Sequence, residues 1–340
     1  VYAHDKAGNV VSVTDRLGRV RGFARDGLGR ATAETWSAPG GAVVQVQGFS
    51  YDPNGNRLTA TDPDGSYAIA YDRLDRPVTA AGPGGVTQAF GYDPNGNRVT
   101  AADSLGGVTV SAFDRLDRLT GREMSDGGVP RWRAAWGYEA DGDVGTLSRW
   151  GWSGSGWAAA GQTGYAHDTL GRVTLIRHEA AAGGVLGEYG YAYDLADRLL
   201  SQTVDGVVTA YGYDDAGQLT ADGGTGYAYD DAGNRVGAGY ATGAGNRLQA
   251  ANGWAYTYDA AGRVVARDNG TEFWAYGYDH RGQMTTATRS ATPGGAADVV
   301  VSYDYDAFGN RVGRTEWGPG GGLVSAERYV VDGWDTAKPV

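Results

Sequence analysis

A short turn motif that returns about every 20 residues sets the strongest constraint on what this chain can become. Its pattern is Asp-x-x-Gly/Asp-Asn/Arg/Gln. Copies begin at Asp5, Asp15, Asp26, Asp52, Asp72, Asp93, Asp114, Asp168, Asp194, Asp214, Asp230, Asp259, Asp279 and Asp306. A degenerate copy lies at Glu139-Ala140-Asp141-Gly142. An aromatic residue usually precedes the Asp, as in Tyr191-Ala192-Tyr193-Asp194-Leu195-Ala196-Asp197-Arg198-Leu199. A chain reversed this often has room for strands of about six residues between turns.

The chemistry of one copy is readable. Asp accepts hydrogen bonds from the amides of its own turn, and the fourth residue supplies the left-handed backbone that ends a type I turn. The structural turn pairs are Asp52 with Gly55, Asp93 with Gly96, Asp168 with Gly171, Asp214 with Gly217, and Asp230 with Gly233. Asp259 with Gly262, Asp279 with Gly282, and Asp306 with Gly309 follow the same rule. Asp114 with Asp117 and Asp194 with Asp197 put an aspartate in the glycine place, as does Asp75, and Asp tolerates that backbone better than most residues. In a three-residue loop Asp114 faces Arg118 and Phe113 faces Leu119. The same count pairs Tyr193 with Leu199, Tyr213 with Leu219 and Tyr258 with Val264.

That register predicts aromatic–aliphatic pairs on one sheet face, turned inward, and Asp–Arg pairs on the other, turned to water. Asp52-Pro53-Asn54-Gly55-Asn56-Arg57-Leu58 reads as a version one residue longer, with Asp52 opposite Arg57 and Tyr51 opposite Leu58. Asp93/Arg98, Asp230/Arg235 and Asp306/Arg311 take the same longer count. By that count the copy at Asp72 fits poorly, since Pro77 falls where an Arg is wanted.

Between copies stand second turns at the opposite strand ends: Asp62-Pro63-Asp64-Gly65, Gly82-Pro83-Gly84-Gly85 and Ser104-Leu105-Gly106-Gly107. The sum is an all-β antiparallel meander of hairpins. Alternation places Tyr67, Ile69 and Tyr71 on one face, with Trp254, Tyr256 and Tyr258 repeating the arrangement. Gly is 58 of 340 residues, without a collagen period, and it falls mainly at turns. No window carries a sustained helical apolar period, and no run approaches the ~18 apolar residues of a membrane-spanning helix. The segment 121–164 is an irregular, Trp-rich insertion whose Ser153-Gly154-Ser155-Gly156 reads as a hairpin tip. A degenerate unit sits at Gly245-Asn246-Arg247-Leu248. We read 1–340 as a single continuous repeat region. Because it opens inside a motif at Tyr2-Ala3-His4-Asp5 and ends soon after Tyr329-Val330-Val331-Asp332-Gly333-Trp334, a fragment of a longer protein is expected.

Tyr/His-Asp-x-x-Gly-Arg-Val-Thr, as in His167-Asp168-Thr169-Leu170-Gly171-Arg172-Val173-Thr174, resembles the YD repeat of the rearrangement-hotspot (RHS) family. That family includes bacterial polymorphic toxins, shell subunits of insecticidal toxin complexes, wall-associated proteins and teneurins. The resemblance covers nearly the whole chain. It implies a β-sheet wound spirally into a hollow shell or tube, secreted or displayed at the cell surface, enclosing an effector in the toxins. The partners implied are adjacent repeats, an encapsulated effector or further copies in a fibre. Family toxins close the shell with a self-cleaving segment rich in Asp-Pro-x-Gly. Asp62-Pro63-Asp64-Gly65 is an internal turn, so cleavage is not assigned to this chain.

Little chemistry survives beside the turns. Net charge is −11, which argues against nucleic acid. Cysteine is absent, so no disulfide or thiolate metal site exists. His4 and His167 take the aromatic place of the motif and read as packed ladder residues, while His178 and His280 stand apart with no metal-ligand spacing. Asp52-Pro53-Asn54-Gly55-Asn56 resembles the start of a calcium loop, but lacks its later Gly and Glu and reads as a hydrogen-bonded turn. Asp214-Asp215 and Asp230-Asp231 sit in turns where neighbours point apart, and no G-x-S-x-G elbow frames a nucleophile. Asn269-Gly270-Thr271 matches a glycosylation sequon but reads as another turn. No catalytic residue, cofactor or metal is assigned, and a non-enzymatic chain is expected. Trp132, Trp136, Trp150, Trp152 and Trp157 leave two readings: aromatic surfaces that stack on glycans or a partner, or side chains packed against the shell.

Overall fold

The computed structural model describes residues 1–237 and 239–329. Val330 to Trp334 of the terminal partial motif therefore lie outside the described residues. Among the described residues there is no α-helix, and the one short 3-10 turn is Pro319–Gly321. Every pairing between strands is antiparallel and joins strands adjacent in sequence, from Tyr2–His4 against Val10–Thr14 to Arg311–Trp317 against Leu323–Arg328. The chain forms two compact units, Val1–Thr87 with Ala238–Val340, and Gln88–Gly237.

Each Asp copy closes its loop by the same two backbone bonds. In one of them the Asp amide donates to the carbonyl four residues on, 2.9 Å for Asp194 to Arg198. The amide of the fourth residue donates back to the Asp carbonyl, 3.2 Å for Asp197 to Asp194. The fourth residue is left-handed throughout: Gly55 has φ 97°, Gly262 has φ 86°, and Asp75, Asp117 and Asp197 lie between 59° and 62°. This is a type I turn ending in a left-handed residue, the three-residue hairpin loop. Phe113 pairs with Leu119, Tyr193 with Leu199, Tyr213 with Leu219 and Tyr258 with Val264, each followed by a one-residue bulge.

The longer count read for the Asn-bearing copies is corrected. Asp52 bonds to Asn56, and Tyr51 pairs with Arg57. Arg98, Arg235 and Arg311 likewise stand opposite Tyr92, Tyr229 and Tyr305. There is one loop length. The Asp carboxylate wants an N–H four residues on, and the Asn56 amide serves at 2.9 Å as the Arg198 guanidinium does at 2.7 Å. For the same reason the copy at Asp72 is regular: Arg76 holds its carboxylate at 2.6 Å, and Pro77 occupies the pairing position opposite Tyr71.

A Cβ added to Gly262 would meet nothing within 4 Å, so only backbone conformation opposes a side chain there. Gly262→Ala is expected to cost about 1–2 kcal/mol, measured as a lower urea midpoint at unchanged slope. A cost near zero would mean that the loop relaxes out of the left-handed region.

The first unit has its core where two chain-distant stretches meet. Burial alternates along Gly65–Tyr71, with Tyr67 and Ile69 buried and Ala68 and Ala70 exposed. Loops from the later stretch sit against this face. The Tyr67 hydroxyl donates to the Asp306 carboxylate at 2.9 Å, and Phe308 meets the Tyr67 ring edge-on at 5.1 Å. Burial and the Asp306 carboxylate push the Tyr67 phenol well up. Alongside, the buried Glu34 accepts from Arg21 at 2.7 Å, from Arg281 at 3.0 Å and from the Trp36 indole. Arg281 also donates to Gln47, whose side chain is fully buried. His280 stacks on Trp36 at 5.4 Å. Burial alone would raise the Glu34 carboxyl, but the two guanidinium groups more than offset it and hold it below its ordinary value.

Candidate functional site

Two arrangements concentrate the side chains with chemistry to offer: the repeated turn and the Trp-rich insertion. In the turn, one Asp oxygen takes two amides and the other takes the side chain four residues on. Asp168 receives Leu170 at 2.9 Å, Arg172 at 3.1 Å and the Arg172 guanidinium at 2.7 Å. That guanidinium, followed by the turn amides, lowers the Asp168 carboxyl. At Asp194 the Arg198 amide is the larger cause and its guanidinium the second. A carboxylate held ionised by three donors makes a poor proton carrier. Asp215 and Asp231, beside the turn aspartates, are exposed.

The other end of each Arg reaches the following copy. Arg172 lies over the Tyr193 ring at 4.9 Å and donates to the Asp194 carbonyl at 3.0 Å. Tyr193 answers by donating its hydroxyl to the Val173 carbonyl at 2.8 Å. Arg198 lies over Tyr213, whose hydroxyl donates to Leu199, and Arg263 lies over Tyr278, whose hydroxyl donates to Val264. These Arg-bearing copies thus clasp the next by a cation–π contact and a hydroxyl-to-carbonyl bond, whereas Arg19 donates to the Tyr278 and Asp279 carbonyls far along the chain. This corrects the expected separation of faces. Arg263 is 18% exposed and its partner Asp259 10%, stacked beside the tyrosines and not turned to water. Turn residues escape strand alternation, and an Arg whose Nε is held by Asp extends along the sheet onto the neighbouring ring.

The clasp also explains the aspartates in the glycine place. Asp75 accepts from Asn54 at 2.9 Å and Asn56 at 2.6 Å. Asp117 accepts likewise from Asn95 and Asn97, and Asp197 from Arg172 at 2.7 Å. The Asn residues of the calcium-like stretch are thereby engaged with the next turn. Asn269 folds its side chain onto the Thr271 and Glu272 amides as a turn. Among the described residues, no group of three His, Cys, Asp or Glu is placed to hold a metal. His4, in the first strand, Tyr2–His4, is exposed, in place of the packed position expected for it. His167 is half-buried, and His178 shares a 2.8 Å hydrogen bond with the fully buried Thr163.

The Trp-rich insertion is a run of long strands: Leu119–Asp126, Val129–Tyr138, Val144–Trp152 and Trp157–His167. The Ser153 amide donates to Gly156 at 2.9 Å and closes the tip between the last two. The tryptophans divide between the two faces by alternation. Trp152 and Trp157 pair across the tip and meet edge-on at 5.3 Å, while Arg133 lies over the rings of Trp150 and Trp157. Trp132 and Trp136 point the other way and flank Ala134. Ala134 pairs with Arg122 on one neighbouring strand and Arg149 on the other. A groove of about 500 Å³ opens there, lined among others by Arg122, Trp132, Trp136, Leu147 and Arg149. The sequence marked the five tryptophans; the two arginines across the sheet were missed, and a cross-strand count from the hairpin tip would have found them.

A teneurin YD-shell family model matches residues 156–318, and an RHS repeat model matches residues 4–35. No curated protein matches the chain. The solved TcdB2–TccC3–TEV chain is similar at 15% identity and a TM-score of 0.75, over 93% of this chain and 19% of that one. The Tc holotoxin pore of Photorhabdus luminescens is similar at 14% identity and a TM-score of 0.52, over 96% of this chain and 22% of that one. This chain therefore spans about a fifth of the length of the solved chains it matches.

Proposed function

We propose, since the chain belongs to the RHS/YD-repeat family, that it is a non-enzymatic wall segment. It forms one continuous stretch of repeats in a larger secreted or surface protein whose β-shell encloses an effector. The observation that carries this reading is the clasp. In copy after copy the groups that could do chemistry, Asp carboxylate, Arg guanidinium and Tyr hydroxyl, are committed to the loop or to the next copy. What such a chain makes is extended antiparallel sheet, 21 strands in one and nine in another among the described residues. The YD-shell match over residues 156–318 supports the same role.

The test uses the full-length protein. Under native conditions the effector region is expected to resist protease for as long as the repeats stay folded, and to be cleaved at once when urea unfolds them. Equal cleavage rates in both states would reject enclosure, and further repeats in place of an effector would convert the reading to a tube. Turnover of peptide, ester or glycan substrates, abolished by one Asp or His substitution, would overturn the non-enzymatic assignment.

A further inference from the structure

We propose that the groove flanked by Trp132 and Trp136 is a binding site for an acidic oligosaccharide built of hexuronic acid units. The sheet register makes the site. One cross-strand row runs Ser111, Arg122, Ala134, Arg149, Gly161. The methyl group of Ala134 leaves a gap between two guanidinium-bearing strands. Trp132 and Trp136 stand two residues either side of Ala134, about 13 Å apart along the strand at ~3.3 Å per residue. That span exceeds one sugar ring, so the floor suits an extended oligosaccharide.

Each wall has a distinct task. Trp132 is 41% exposed and presents an indole face, which packs against the C–H face of a pyranose ring. Arg149 is exposed and, among the described residues, has no hydrogen-bond or ion-pair partner, unlike the turn arginines. Arg122 spends only its Nε, on Ser111 at 3.2 Å, which leaves its terminal nitrogens available. A planar guanidinium fork matches a carboxylate in bidentate fashion. No carboxylate lines the groove, although the chain as a whole carries −11. An uncompensated pair of arginines between tryptophans on an acidic protein selects an anion that also has an apolar face. A hexuronate has both.

Calorimetry with the purified chain and a galacturonic acid trimer is the test, with the neutral hexose trimer, sodium sulfate and tetra-glutamate as comparison probes. Binding of the acidic trimer is expected with quenching of tryptophan fluorescence. Arg149→Ala should weaken it about 10- to 100-fold, and Trp132→Ala should abolish the quench and weaken binding. Both side chains are exposed, so unchanged melting temperatures are expected and verify the fold. Arg131→Gln, which removes an Arg paired with Asp126 at 2.9 Å, should leave binding unchanged. The proposal is overturned if the acidic trimer does not bind, if the neutral trimer binds equally, or if sulfate competes at equal concentration. Equal affinity for tetra-glutamate would overturn it in favour of a peptide groove.

Discussion

Arg281→Met is expected to destabilise the first unit by about 1.5–3 kcal/mol, the cost of removing one of the two guanidinium partners of a buried carboxylate. Arg281 is 13% exposed and Glu34 6%, so water does little to screen the loss. The same guanidinium also bonds Gln47 and the Ala307 carbonyl, at 3.1 Å for the latter, so one substitution removes a donor from three acceptors, of which Glu34 keeps Arg21. Urea unfolding of the variant should show a midpoint far below that of the parent chain. Adding Glu34→Gln to Arg281→Met should cost less than the two single losses summed, because the pair is lost only once, and the interaction term isolates it. A single-variant cost below about 1 kcal/mol, the range of an exposed pair, would mean that water reaches this cluster.

The second large effect is loss of stability in acid. The carboxyls of Asp72, Asp114, Asp168 and Asp194 are all held below the ordinary Asp value by side chains and amides of their own turns. Each is more acidic folded than unfolded, so between the two values the unfolded chain binds more protons and stability falls as pH falls. The contribution is complete above the unfolded value of about 3.9 and disappears as pH passes down through the folded one. Asp62 opposes this. Burial, with Asp64 and Asp306 nearby, raises its carboxyl, so its protonation relieves strain on the way down. One group against many does not reverse the trend. The urea midpoint should hold from pH 7 to about 5 and drop steeply below about 4, with a shallower drop in a variant carrying Asp168→Asn and Asp194→Asn. A midpoint flat down to pH 3 would refute the lowered carboxyls.

Much of this was legible in the chain because the turn is local. The Asp, its two amides and its left-handed fourth residue all fall within five positions, and physics confined to five positions can be read off the letters. The miscount at Asp52, Asp93, Asp230 and Asp306 came from treating Arg as the marker of the pairing position, when the carboxylate asks only for an N–H and Asn56 supplies it. The clasp was hidden for a different reason. Arg172 and Tyr193 are 21 residues apart, and nothing in either motif alone announces the other. The Glu34–Arg281 pair spans 247 residues. Its one sequence trace is Glu34 itself, a charge sharing a strand face with Trp36, of which the hairpin partner Arg21 engages only one oxygen.

Where the clasp forms, it is built from side chains at fixed offsets from one Asp, with Arg reaching forward and Tyr reaching back. Cutting the chain between any two such copies leaves a donor half on one side and an acceptor half on the other, and all the halves are alike. A copy could then be duplicated, deleted or exchanged with that of a related gene, and the new junction would close with the same contacts as the old. Within a run of such copies the contacts are between neighbours, so that run's stability is close to a sum over junctions, while the Glu34–Arg281 and Tyr67–Asp306 contacts tie chain-distant copies together. Length is therefore most freely variable in stretches such as Arg172 to Tyr213, where the clasp joins only neighbouring copies, and recombination there, more than point substitution, is the change the architecture absorbs at least cost.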